Sequence, residues 1–115
     1  MNRTLVDLVA HSYHVREVIQ QVYSDIRDAE RTQRGYLITD DPVYLKLYQK
    51  DINNAHQIIR QLQYLIADNP RQVRNLSRLT QLSQDRIVGL NQVTAAKDHV
   101  GLGAAKKLIL TNSNG

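Results

Sequence analysis

An all-α fold, an up-down bundle of long helices, is what this sequence predicts, and three observations carry the prediction. Apolar residues recur at alternating spacings of three and four over long stretches, the rhythm of helices that pack along their length. Both prolines, Pro42 and Pro70, directly follow a good capping residue, Asp41 and Asn69, so each marks the start of a helix. The chain has no Trp and no Phe, and its six Tyr carry all the aromatic surface. Such a composition favours helices joined by aliphatic stripes over a β-sandwich.

The first segment runs from about Thr4 to Thr39. Its seam is Leu5, Leu8, Ser12, Val15, Ile19, Val22, Ile26, Ala29, Gln33 and Tyr36, about five heptads without a gap. At 1.5 Å per residue such a helix is roughly 50 Å long, so the bundle is rod-like. Ser12 and Gln33 interrupt the seam; polar residues at such positions weaken packing but set register or let helices shift against each other. The second segment, from Pro42 to about Ala67, repeats the rhythm with Leu45, Tyr48, Ile52, Ala55, Ile59, Leu62 and Ile66, and Ile58 and Leu65 broaden its apolar face. The third, from Pro70 to about Asp98, carries Val73, Leu76, Leu79, Leu82, Ile87, Leu90 and Val93. Short corners between these segments make neighbours antiparallel. Gly101-Leu102-Gly103 then breaks the pattern, 104–110 forms a short helix, and Thr111 to Gly115 reads as a frayed loop end.

Length and composition set the outer limits. One hundred and fifteen residues, 1–115, make a single domain large enough for its own core. With 23% charged and 42% apolar residues, the chain has the balance of a folded domain and not of a disordered tail. It contains no Cys, which excludes a disulfide framework and a thiolate metal site. No apolar run approaches the ~20 residues that span a bilayer and no signal peptide opens the chain, so it reads as a soluble fragment.

The corner between the first two segments is the most distinctive stretch. Asp28-Ala29-Glu30-Arg31-Thr32-Gln33-Arg34-Gly35-Tyr36-Leu37-Ile38-Thr39 closes one helix and Asp40-Asp41-Pro42 opens the next. Pro42 pushes Asp41 out of helical geometry, so the first helix ends there. Gly35 inside a helix costs about 1 kcal/mol relative to Ala, and close approach of another backbone is the simplest offset. Glu30 and Arg34 stand four apart in the favourable order for an ion pair on one face.

These residues resemble those of the CHASE family, type three. The run from Asp28 to Thr39, Tyr44-Leu45 and Tyr48, Ala67-Asp68-Asn69-Pro70 with Gln72, and the glycine-containing stretch near Gly101 all look like the family and fall in its order. The resemblance implies an extracytoplasmic sensory domain, on the periplasmic or extracellular face of the membrane, set between two transmembrane helices of a bacterial histidine kinase, nucleotide cyclase or chemoreceptor. It also implies an antiparallel four-helix bundle whose first and last helices continue into the membrane. The sequence departs from that pattern in ending about where the long last helix should begin, so the last helix is expected to be largely missing. Another chain is then expected to supply the fourth wall, most simply in a homodimer.

Two readings of the signature compete. Arg34 with Tyr36 or Tyr44 would bind an anionic ligand near the corner, or the residues Asp28, Glu30, Gln33, Arg34, Gly35, Tyr36, Thr39, Asn69 and Pro70 specify the bundle itself. A motif shared by receptors with different outputs favours the structural role. His11, His14 and Glu17 are spaced three apart, but three-residue steps drift around a helix and no fourth ligand is evident, so no metal is expected. His56 and His99 have no nucleophile or orienting acid at recognisable spacing, so no catalytic unit and no cofactor site is expected. Arg71, Arg74 and Arg78 form a basic stripe, and the net charge is +4. The other basic residues are interleaved with Asp over all segments, as on an ordinary solvated bundle, and nucleic-acid binding is not expected.

The sequence therefore reads as a non-catalytic signal-input domain of a two-component sensor histidine kinase, responding to a small-molecule or protein stimulus by helix displacement. A helical dimerisation or adaptor module is the alternative, with a basic nucleic-acid-binding protein behind it.

Overall fold

In the computed structural model, which describes residues 4–67 and 73–114 apart from the side chains of Leu8, Val73, Ser113 and Asn114, four helices follow one another. They are α1 (Leu5–Thr39), α2 (Pro42–Ala67), α3 (Val73–His99) and α4 (Leu102–Asn114). No strand occurs among the described residues. The expected helix start at Asn69 and Pro70, with Arg71 and Gln72, lies outside them.

Local chemistry explains each described helix end. Thr4 accepts from the Asp7 amide at 3.2 Å while the Asp7 carboxylate accepts from the Thr4 amide at 3.4 Å, a reciprocal cap that satisfies two otherwise unpaired donors. At the other end of α1, Asp40 turns left-handed with φ 58° and its amide donates to the Tyr36 carbonyl at 2.8 Å. The next helix starts at once. The Asp41 carboxylate accepts from the Val43 amide at 2.9 Å, and Pro42 occupies the first helical position, where its missing donor costs nothing. Thr39 closes the corner, donating to the Gly35 carbonyl at 2.7 Å and accepting from the Asp41 amide at 3.1 Å. A corner this short makes α1 and α2 antiparallel.

The break before α4 is narrower than the glycine pair predicts. Only Val100 and Gly101 separate α3 from α4, and Gly101 takes φ +133°, in a region that glycine alone enters without strain. Its amide and that of Val100 both donate to the Ala96 carbonyl at 2.9 Å. Gly103 lies in the first turn of α4, and the helix runs to Asn114 where residues 104–110 were expected and a loop thereafter. Ala105 is fully buried, which anchors this helix, and the Thr111 hydroxyl donates to the Lys107 carbonyl at 2.9 Å within it.

The molecule is a rod of 57 × 28 × 16 Å. Its core joins Val15, Val18, Val22, Ile26 and Ala29 of α1 to Tyr48, Ile52, Ala55, Ile59, Leu62 and Ile66 of α2 and to Leu76, Ile87 and Leu90 of α3. Ile19, Leu45, Ile58, Leu65 and Leu79 pack half-buried around it. Four seam positions differ from expectation. Leu5 and Ser12 are exposed, because α1 has 35 residues against 26 in α2, and the excess of nine leaves roughly 13 Å of α1 beyond its partner. Val18 is buried more fully than Ile19. On α3, Leu82 is exposed while Thr80 and Ser83 are buried. Their hydroxyls donate to the Leu76 and Leu79 carbonyls at 2.8 and 2.9 Å, which satisfies them within their own helix.

Candidate functional site

The end of the rod at which α1 turns into α2 and α3 into α4 is where polar side chains gather. Gln33 of α1 is buried, and its amide donates to the Leu90 carbonyl at 2.7 Å and the Thr94 hydroxyl at 3.1 Å on α3. In the same layer the phenol of Tyr48 on α2 donates to Asn91 at 2.6 Å. Burial pushes the Tyr48 phenol up, and the Thr94 hydroxyl opposes the shift. Three helices are thus tied by one polar layer. A turn higher, the Tyr36 phenol donates to Asp98, the Lys97 ammonium pairs with Asp40, and that ammonium stands 4.4 Å from the centre of the Tyr36 ring. The hydrogen bond to Asp98, then burial, then the charges of Asp98 and Asp40 push the Tyr36 phenol up to about 12. One turn before Tyr36 on α1, the Thr32 hydroxyl donates to Asp51 of α2 at 3.0 Å.

Below this clamp of Tyr36, Asp98, Lys97 and Asp40, α1, α3 and α4 leave a cleft of about 280 Å³ between them. Glu30, Gln33, Arg34 and Leu37 line it from α1, Arg86, Gly89, Leu90 and Val93 from α3, and Ile109 and Asn112 from α4. Glu30 pairs across it with Arg86 at 3.4 Å. The ion pair expected between Glu30 and Arg34 does not form: Glu30 meets a cation on the facing helix, and Arg34, one turn further on, lines the cleft.

The CHASE3 domain family matches residues 6–114, nearly the whole chain. The chain belongs to the CHASE3 domain family. Members of this family are extracytoplasmic sensory domains of receptors, and CHASE3 domains are themselves non-catalytic. No curated protein and no solved structure is significantly similar to the chain.

Four of the seven described residues of the CHASE3 signature, Glu30, Gln33, Gly35 and Tyr36, meet another helix. Glu30, Gln33 and Tyr36 tie α1 to α3, Thr39 closes the corner, and Asp28 pairs with Arg31 at 3.6 Å within α1. Gly35 makes room, though not for a backbone. A Cβ added there would lie 2.5 Å from Cδ1 and 2.6 Å from Cε1 of Tyr44, so the ring of Tyr44 lies flat on the bare helix. The three residues considered for anion binding therefore face different ways. Arg34 lines the α1–α3–α4 cleft, Tyr36 is buried against Asp98 and Lys97, and Tyr44 covers Gly35 from α2.

Sequence reasoning missed Asp25, Asn91, Thr94, Lys97 and Asp98 as partners of the clamp and core. The signal for Thr94 was present, since it continues the buried face of α3 beyond Leu90, whereas Asp98 is exposed and carries no such signal. Asp25 is buried against α2, with Gln21 donating to it at 2.8 Å, and desolvation pushes its carboxyl up, helped by the nearby Asp28 and Asp51. No group of three metal-binding side chains converges among the described residues, His11, His14 and Glu17 included. Arg74 and Arg78 are exposed on α3. None of the described helices is long and apolar enough to cross a membrane.

Proposed function

We propose that this CHASE3 domain is the periplasmic input module of a bacterial transmembrane receptor, with a two-component histidine kinase as output. The match to the family from residue 6 to residue 114 carries the proposal. The polar layer supports a mechanism. Hydrogen bonds such as those of Gln33 to Leu90 and Thr94 can exchange partners between two helix arrangements, whereas interdigitated aliphatic side chains resist sliding. A small-molecule or protein stimulus that binds one arrangement better shifts the population, and α1 moves by ~1–2 Å against α3. A continuation of α1 into the membrane carries that displacement to the output module.

Sequencing the native reading frame on both sides of the chain tests the receptor reading. Two flanking apolar segments of ~20 residues and a kinase module are expected; a frame that starts near Met1 and stops near Gly115 overturns it. In the intact receptor, Gln33→Leu is expected to bias output. A higher melting temperature with unchanged output would sink the displacement mechanism.

One observation favours adding a second copy of the chain. Leu5, Val6, Val9 and Tyr13 are exposed on the part of α1 that extends beyond α2, Leu5 and Val6 by 77% and 74%. Apolar side chains so placed along one helix favour a homodimer, and with it the dimerisation role that an adaptor would share. Light scattering at high concentration is expected to give twice the chain mass; a strictly monomeric protein rules the dimer out.

A further inference from the structure

We propose that the cleft between α1, α3 and α4 is the binding site for a small organic monocarboxylate with an apolar body. The inference rests on the sensor reading and names where, and by what chemistry, the stimulus is held. Three charged side chains line the cleft, Glu30, Arg34 and Arg86. Glu30 already holds Arg86 at 3.4 Å, so the guanidinium without a carboxylate against it, among the described residues, is Arg34. Two guanidiniums and one carboxylate leave one net positive charge, which suits a monoanion and disfavours a dianion beside Glu30. A guanidinium presents paired N–H donors in the fork geometry that a carboxylate accepts.

The remaining wall selects the body of the ligand. Leu37, Val93 and Ile109 line the same cleft, and its volume of about 280 Å³ lies just below the ~300–1,000 Å³ of small-molecule sites, which suits a small ligand. A carboxylate at Arg34 therefore places a short branched or aromatic body against these aliphatic side chains. Such a ligand has a structural consequence. α4 packs on α3 and meets α1 little, and the cleft is where they stand apart. A molecule seated between Arg34 and Ile109 bridges α1 to α4, and so stabilises one spacing of these helices over another.

The test uses sodium benzoate and sodium isovalerate as probes, with benzamide, isovaleramide and sodium phosphate as controls, read by ¹⁵N–¹H NMR and thermal melting. Both carboxylates at millimolar concentration are expected to raise the melting temperature and shift the amides of Gly89 and Ile109 and the Nε–H of Arg34. The neutral amides and phosphate are expected to do neither. Arg34→Gln should weaken benzoate binding on the order of tenfold or more, and Ile109→Trp, which fills the cleft from the opposite helix, should abolish it. Circular dichroism checks that both variants keep their helix content. The proposal is overturned if neither carboxylate binds, if shifts map elsewhere, if the amides or phosphate bind as well, or if both variants bind benzoate like the parent. Because binding needs no membrane, a negative result removes this site and leaves the receptor reading to the flanking sequence. Binding by a chain whose reading frame lacks membrane spans would do the reverse.

Discussion

Replacing Gly35 by Ala tests whether the signature glycine is there for the ring of Tyr44. In an exposed helix interior, Gly to Ala stabilises by about 1 kcal/mol. Here the new Cβ would lie 2.5, 2.6 and 3.0 Å from Cδ1, Cε1 and Cγ of Tyr44. These atoms belong to the body of the ring and not to a flexible tip, so the whole ring has to leave. Tyr44 is 37% exposed, which puts nearly two-thirds of its surface at stake. Burying a large apolar side chain fully is worth about 1.5–3 kcal/mol, so expulsion costs on the order of 1–2 kcal/mol. The substitution is therefore expected to be neutral to destabilising by about 1 kcal/mol in the parent. With Tyr44→Ala already made, the clash is gone and the same substitution should stabilise by about 1 kcal/mol. Urea denaturation of the four proteins in this cycle, followed by circular dichroism, measures the coupling directly. Gly89→Ala is an internal control, because its Cβ would meet only Asn112 Nδ2 at 3.7 Å, and it should stabilise outright. A coupling between residues 35 and 44 below about 0.5 kcal/mol, within ordinary additivity, would refute the reasoning.

Three further outcomes follow from buried polar groups. Gln33→Leu leaves no buried orphan, since Leu90 keeps its helical amide partner and the Thr94 hydroxyl can turn to that carbonyl; stability should hold or rise by about 1 kcal/mol, as urea unfolding would show. The Asp25 carboxyl is pushed above 3.8 in the folded protein, so the native state binds this proton more tightly than the unfolded chain. Its contribution therefore falls as pH rises from 3.8 through the raised value. Asp25→Asn should raise the melting temperature at neutral pH, with a gain that shrinks toward and below 3.8. Tyr36 is raised from 10.0 to about 12, so its contribution is complete below 10.0 and lost as pH rises through about 12. An ultraviolet tyrosinate titration should show a late step that Tyr36→Phe deletes and Asp98→Asn moves down, Asp98 being its main cause.

Local periodicity and capping were enough, from the sequence alone, to place α1, α2 and the body of α3 in antiparallel order, but not the extent of α4, which runs to Asn114. Alternating steps of three and four keep one stripe on one side of a helix, and Asp41-Pro42 can only start a new one, because proline lacks the donor that the preceding helix would need. The family signature was legible for the same reason: its residues are contiguous. Tertiary structure alone decided the partners. An ion pair four residues apart is one option among several for Glu30, and Arg86 on α3 competes for it at 3.4 Å. Spacing along one helix carries no information on that distance. The apolar stripe of α3 passes over Thr80 and Ser83, because nothing local reveals that a hydroxyl bonded to its own helix can be buried. The offset of Gly35 came from Tyr44, nine residues away around the corner, and the cleft formed from α1, α3 and α4 together. A face becomes a site only when a second and third helix are set against it, and that placement is fixed by packing over the length of the rod, which no single segment encodes.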